Sequence, residues 1–231
     1  MRRTTVPGLA VVLIAGSLAA CAPARIDLDP RVRQQLPSAS VIHVVVYPSE
    51  APSLMTAKAV GTGALFGPIG GAVVGARAAT IGKELMERYK VESLSVQLAK
   101  KLGEELKDEL PNLKSVPVAP AGDDVAELKK AGLGPFVLDV RSGGNIIYYP
   151  SNWGRYRLFY ASRVRLVDTE QGRVLWQGVC QQKGAEDPDQ SPTLDELEAP
   201  DGAAYRRLVT DAISACSTEL KKQFHGAAPP A

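Results

Sequence analysis

Thiols are the most reactive side chains in this sequence, and there are three: Cys21, Cys180 and Cys216. A thiol can be acylated, oxidised to a disulfide, used as a nucleophile or bound to a metal, and its neighbours decide which. No Cys-x-x-Cys pair is present, and neither histidine, His43 or His225, accompanies a cysteine in a metal-ligand or nucleophile–base spacing. Asp139 and Asp168 could be brought together by folding, but strand and turn roles account for both without acid–base chemistry. Asp187, Asp189, Asp195 and Glu196 lack the glycine and terminal glutamate of a calcium loop, and the glycines of 61–75 precede no Lys-Ser/Thr pair. The reading is a non-catalytic protein with no metal and no cofactor.

Binding chemistry concentrates in Tyr148-Tyr-Pro-Ser-Asn-Trp-Gly-Arg-Tyr-Arg. Tyrosine, tryptophan and arginine supply binding energy at protein contacts, and a ring can pair with a guanidinium. Tyr149, Trp153, Arg155 and Tyr156 form the candidate partner face; the competing role for Trp153 is to cover one end of a core.

The amino terminus carries a different signal. Arg2 and Arg3 precede an uncharged run from Val6 to Ala20, which closes as Leu18-Ala19-Ala20-Cys21. A basic start, a short apolar core and small residues describe a secretory signal over 1–20, too short for a comfortable transmembrane helix. Leu-Ala-Ala-Cys resembles the lipobox of bacterial lipoproteins. That resemblance implies cleavage before Cys21, diacylglycerol on its thiol, acylation of the new amino group and a 211-residue mature chain. Several acyl chains exceed what marginal single-chain anchoring provides. Ala22 in place of an aspartate, by resemblance to enteric lipoproteins, implies the outer membrane with the domain facing the periplasm. Residues 21–39, with Pro23 and Pro30, read as a lipidated tether of little regular structure.

Removing Arg2 and Arg3 from the 27 basic residues leaves 25 against 25 acidic ones, so the mature chain is neutral and has no basic block suited to nucleic acid. Beyond the tether the chain suffices for one domain, 40–224, with 225–231 as a tail. In an oxidising compartment Cys180 and Cys216 suggest a structural disulfide, with two separate buried thiols as the rival arrangement.

Hydrophobic patterning supplies the elements. Ser40–Tyr47 is a β-branched strand ending before Pro48. Tyr156, Leu158, Tyr160, Ser162, Val164 and Leu166 alternate with Arg157, Phe159, Ala161, Arg163, Arg165 and Val167, the period of a sheet with one protected face. Asp168–Gly172 turns the chain, and Arg173–Gln181 returns as a hairpin strand. Phe136–Val140 and Ile146–Tyr149 add one or two strands, and Leu113–Val118 another. Glu84–Leu110 has the apolar spacing of one long amphipathic helix, Asp123 or Asp124 can cap a short helix through Lys130, and Ala203–Phe224 closes the domain as a helix. The Glu186–Gly202 stretch reads as an exposed acidic loop. The fold class is α+β: a mixed sheet, a carboxy-terminal antiparallel hairpin, and a long and a final helix layered on it.

One stretch stands apart. Ala59–Ala76 has no charge, and Gly63, Gly67, Gly71 and Gly75 recur every fourth residue, a spacing that clears one stripe of a helix for close approach. It resembles the glycine-zipper segments of envelope proteins, although Pro68 would kink or divide the helix. Three readings stand: a helix–break–helix excursion packed on its own domain or on another copy in a homo-oligomer, insertion into a bilayer, or a flexible apolar loop.

Arg165-Leu-Val-Asp-Thr-Glu-Gln-Gly-Arg-Val-Leu-Trp-Gln-Gly is similar to the strand, Asp-x-x-x-Gly turn and returning strand of small periplasmic lipoprotein domains of the TolB amino-terminal and penicillin-binding-protein activator type. The resemblance implies a role through contacts with an envelope protein partner, with no shared catalytic set.

Overall fold

The computed structural model describes residues 24–39, 41–47, 51–64, 67–116 and 124–226, without the side chains of 62–64, 67–71 and 115–116. Cys21, the signal segment and the end of the tail lie outside the described residues. The protein is α+β, with helices packed on a six-stranded mixed sheet.

The long antiparallel ladder is built from β4 (Phe136–Tyr149) and β5 (Asn152–Asp168), with Phe136 opposite Asp168 at one end and Tyr149 opposite Asn152 at the other. Strand β4 runs unbroken through Gly143-Gly144, so the two short strand signals belong to one element. From β5 the chain turns at 169–172, with Gly172 at φ 68, and returns as β6 (Arg173–Gln182). The β1 strand (Ile42–Val46) pairs parallel to the first half of β4 and, on its other side, to β3 (Leu113–Val116). A short β2 (Ser53–Met55) pairs parallel to β4 at 145–147.

The alternation in β5 sets the layers. Tyr156, Leu158, Tyr160, Ser162, Val164 and Leu166 are all buried, under α4 (Leu94–Glu105) and α7 (Ala203–Phe224). Trp176 from β6 meets the Phe224 ring edge-on at 5.2 Å in this core. Cys180 of β6 and Cys216 of α7 form a disulfide with Cα atoms 5.6 Å apart, which ties the hairpin to the final helix. On the opposite face, α5 (Val125–Lys130), capped by Asp124, covers only a small cluster of Val45, Tyr47, Leu128, Val137 and Val167.

In the long helix and the amino-terminal segment the structure differs from expectation. Glu84–Leu110 is not one helix: α3 (Gly67–Arg88) ends at a left-handed Lys90 (φ 51), and Ser93 caps a separate α4 by accepting from the Val96 amide. The apolar spacing continues across the break because Tyr89 and Leu94 are both buried in the same core, so periodicity alone could not reveal it. The segment read as a loose tether is docked from Ala24 onward. Ile26 bridges Gln177 through N–H···O contacts of 3.0 and 2.9 Å, Leu28 and Leu36 are buried, and Asp29 caps α1 (Pro30–Gln35). Two residues beyond Gln177, the side-chain amide of Gln223 donates to Val179 O at 2.8 Å and accepts from its N–H at 3.1 Å.

The glycine-rich stretch takes a helix–break–helix form, α2 (Ala57–Ala64) followed by α3, with Pro68 in the first turn of α3 where its missing N–H costs nothing. The second half of α3 is seated. Ala78 and Leu85 are buried, and Gly82 lies so close to β2 that a Cβ there would fall 1.8 Å from the Pro52 carbonyl oxygen. No helix among the described residues is long and apolar enough to cross a membrane.

Candidate functional site

The four residues of the candidate partner face lie at the β4–β5 hairpin tip, and the structure divides them. Tyr156 is buried in the core. Tyr149 is also buried; its hydroxyl donates to Ala185 O at 2.5 Å and lies 2.7 Å from Ser191 Oγ. Arg155 donates to Ser191 O at 2.8 Å and sits 3.6 Å from Glu196. Trp153 alone is presented outward, 65 % exposed, its indole N–H donating to Pro150 O at 3.1 Å and its ring 5.9 Å from that of Tyr148. Arg157 stands 4.6 Å from the centres of both the Tyr149 and Phe159 rings, which stiffens the strand behind the tip.

What holds this tip is the acidic stretch. Within it lie a 3-10 turn and α6 (Leu194–Glu198), whose first turn carries a reciprocal cap between Thr193 and Glu196. Thr193 bridges Arg155, and the Tyr156 N–H donates to Pro192 O at 2.9 Å. The Thr193 amide and hydroxyl, followed by Arg155, hold the Glu196 carboxyl below the usual carboxylate range. The stretch therefore braces the hairpin tip, a job its acidic composition does not announce. Thr-x-x-Glu before Leu197 was the available signal.

A second polar constellation sits on the other face of the sheet. Asp139 is fully buried and accepts from Tyr47 Oη at 2.9 Å and from Arg165 Nη2 at 2.7 Å and Nε at 2.9 Å; Arg163 approaches to 3.9 Å. Arg141 stacks over the Tyr47 ring at 3.8 Å. Burial, then the neighbouring Asp139 charge, pushes the Tyr47 hydroxyl up to about 12. Beyond this cluster lies a shallow groove of about 560 Å³ over Gly143 and Ala161, walled by Phe159 and Gln181.

The remaining candidates fall elsewhere. Asp168 sits opposite Phe136, three strand positions from Asp139, and accepts from the Gln171 amide at 2.8 Å in the turn. Both carboxylates are thus engaged in structural bonds. His43 lies in β1, while His225 follows α7 and is 2.9 Å from Glu109. Among the described residues no three His, Cys, Asp or Glu side chains are grouped to hold a metal. Gly63 lies in α2, and Gly67, Gly71 and Gly75 in α3; a Cβ at Gly75 would meet nothing within 4 Å, and nearby Val73 is 63 % exposed.

No known family matches this chain, and no curated protein matches it. Among solved structures it is similar to the PelC dodecamer from Paraburkholderia phytofirmans, at 11 % identity over 84 % of this chain and 95 % of that one, TM-score 0.30. A putative neuraminyllactose-binding hemagglutinin homolog from Helicobacter pylori matches at 13 % identity over 88 % and 91 %, TM-score 0.36. The hypothetical protein CT253 from Chlamydia trachomatis matches at 12 % identity over 53 % and 84 %, TM-score 0.24. At these scores the likenesses carry neither a family nor a function.

Proposed function

We propose that this protein is a lipid-anchored, non-catalytic component of the bacterial envelope. In this reading it is held by Cys21 in the outer membrane, faces the periplasm and docks another envelope protein through its β4–β5 hairpin tip. The observation that carries the docking role is Trp153, 65 % exposed at the end of a hairpin braced by a second segment. An indole held on a stiff support loses little conformational freedom when it is covered, which is how a single aromatic side chain comes to dominate a contact. Arg155 and Tyr149 act behind it, fixing the tip. Capture of partners from native membranes tests this. Trp153→Ala should lose the captured protein while the unfolding midpoint stays put, and unchanged capture removes the tip from consideration.

A second reading is supported by the exposure of Val73 on a glycine-rich helix whose Gly75 faces open space. There α2 and the first half of α3 form an assembly element for further copies of this chain or a contact with lipid. Replacing 59–76 by a short Gly-Ser linker should then abolish the oligomer or vesicle leakage and leave the rest of the domain folded. An oligomer that survives the replacement rejects it.

A further inference from the structure

The docked amino-terminal segment limits where the anchor can be. Ala24 is held to the domain surface because the Gln177 side-chain amide donates to its carbonyl oxygen. The Ile26–Gln177 bridge follows, then the buried Leu28, the α1 helix and the buried Leu36, and Arg33 reaches the His225 carbonyl oxygen beyond α7 at 3.4 Å. Nothing in this run can act as a leash without breaking those contacts. Only the links from Cys21 to Ala24 remain, and three residues span at most about 10 Å even when fully extended. The headgroup layer on each side of a bilayer is itself roughly 5–7 Å deep.

From this geometry we infer that the Ala24–Ile26 strap and the β6 edge beneath it form a lipid-contact face, resting on the headgroups of the membrane that holds Cys21. The inference rests on the proposed acylation of Cys21 and adds an orientation to it. Ile26 marks the contact. It is 38 % exposed, one of three large hydrophobic side chains exposed among the described residues, and the one beside the anchor. Beside it the Arg25 guanidinium is turned in, 19 % exposed and paired with Asp27 at 2.7 Å, so its charge is neutralised within the strap. An apolar side chain standing beside an acyl anchor can enter the boundary of headgroups and acyl chains, where burial of its surface adds to the hold of the anchor. Strand β6 thereby faces lipid, and β2, which roots the excursion on the far side of β4, lies three strand spacings, roughly 14 Å, across the sheet.

Fluorescence quenching by brominated lipid tests the inference on the full-length protein, processed in a bacterial host and reconstituted into phosphatidylethanolamine–phosphatidylglycerol vesicles. The probe is Ile26→Trp in a Trp153→Phe background. Trp176, fully buried, supplies a constant unquenched signal that the Trp153→Phe protein measures alone. Bromine near the head of the acyl chains should remove at least half of the emission that the new tryptophan adds. Mass spectrometry of the same sample reports the lipid on Cys21. An acylated protein whose added emission is unaffected by bromine overturns the lipid-contact face and leaves the anchor standing. A protein without lipid on Cys21 overturns both.

Discussion

Replacing Asp139 by asparagine tests whether the polar cluster on the open face behaves as a desolvated ion pair. The carboxylate is fully buried, receives two contacts under 3 Å from Arg165 and one from the Tyr47 hydroxyl, and has Arg163 at 3.9 Å. Asparagine keeps the shape and removes the charge, so the Arg165 guanidinium stays in place without its counter-ion. Breaking one side of a buried pair costs about 3–5 kcal/mol, because the remaining charge has already surrendered its water. With a urea dependence of about 2 kcal/mol per molar, the unfolding midpoint of Asp139→Asn should fall by roughly 2 M at unchanged slope. Replacing both partners, Asp139→Asn with Arg165→Met, should recover more than half of that loss, since the uncharged pair has no charge to strand and the amide can still accept from the Tyr47 hydroxyl. The assay is urea unfolding with the disulfide intact, followed by tryptophan emission from the buried Trp176. A single-mutant cost under about 1 kcal/mol, or a double mutant as unstable as the single, would refute the reasoning and mark the cluster as solvated.

The other expectations concern separate parts of the molecule. Cys180→Ser with Cys216→Ser releases a loop with a sequence separation of 36 and should lower stability by about 4 kcal/mol on the chain-entropy estimate, read as the difference in urea midpoints. Gly82→Ala should destabilise by about 1–3 kcal/mol, because its Cβ would fall 1.8 Å from the Pro52 carbonyl oxygen. Gly75→Ala, with open space around it, should instead stabilise the monomer by up to about 1 kcal/mol through helix propensity. The two melting curves should move in opposite directions. Tyr47, whose pKa is raised from 10.0 to about 12, holds its proton more tightly when folded. Its contribution is present below about pH 10 and lost as pH rises toward 12, so the urea midpoint of wild type should fall more steeply over that window than that of Tyr47→Phe; parallel profiles would refute the assignment. Acid titration of Glu196 by carboxyl NMR should give a value below the usual glutamate range, its contribution to the α6 cap being present above the unfolded pKa and fading as pH falls through the folded one.

Period-two patterning was enough to read the sheet's two faces, because burial on β5 alternates from Tyr156 to Val164; only its last residues, Val164–Asp168, are buried on both faces. Arg173–Gln181 and Ala203–Phe224 were legible for the same reason, each carrying its own turn or stripe. On α7 Leu208 is half-buried, while Tyr205, Val209, Ile213 and Cys216 line the core. Breaks were harder to see than elements. Lys90 adopts a left-handed conformation without glycine chemistry to announce it, so α3 and α4 read as one helix. The tip was visible as an aromatic cluster, but tyrosines covered and tryptophan outward is a distinction of register and of what packs on the tip: Tyr156 enters the core, Tyr149 is held by Ala185 and Ser191, and Trp153 lies just past the turn. Its brace could not be deduced from composition, since acidic residues that cap and bond backbone look the same in sequence as acidic residues in water.

Gln223 has a consequence for how the sheet ends. A primary amide offers one donor and one acceptor at nearly the spacing of a peptide unit, and here both are spent on Val179 in the outermost strand. Ile26 spends the backbone groups of Gln177 in the same way. Two successive outward pairs of that margin are thus already satisfied, one by a side chain and one by the protein's own amino-terminal segment. A foreign strand arriving there would find no row of vacant amides to copy. The sheet therefore ends at this margin, and concentrated protein should not grow edge to edge through β6 into a fibre.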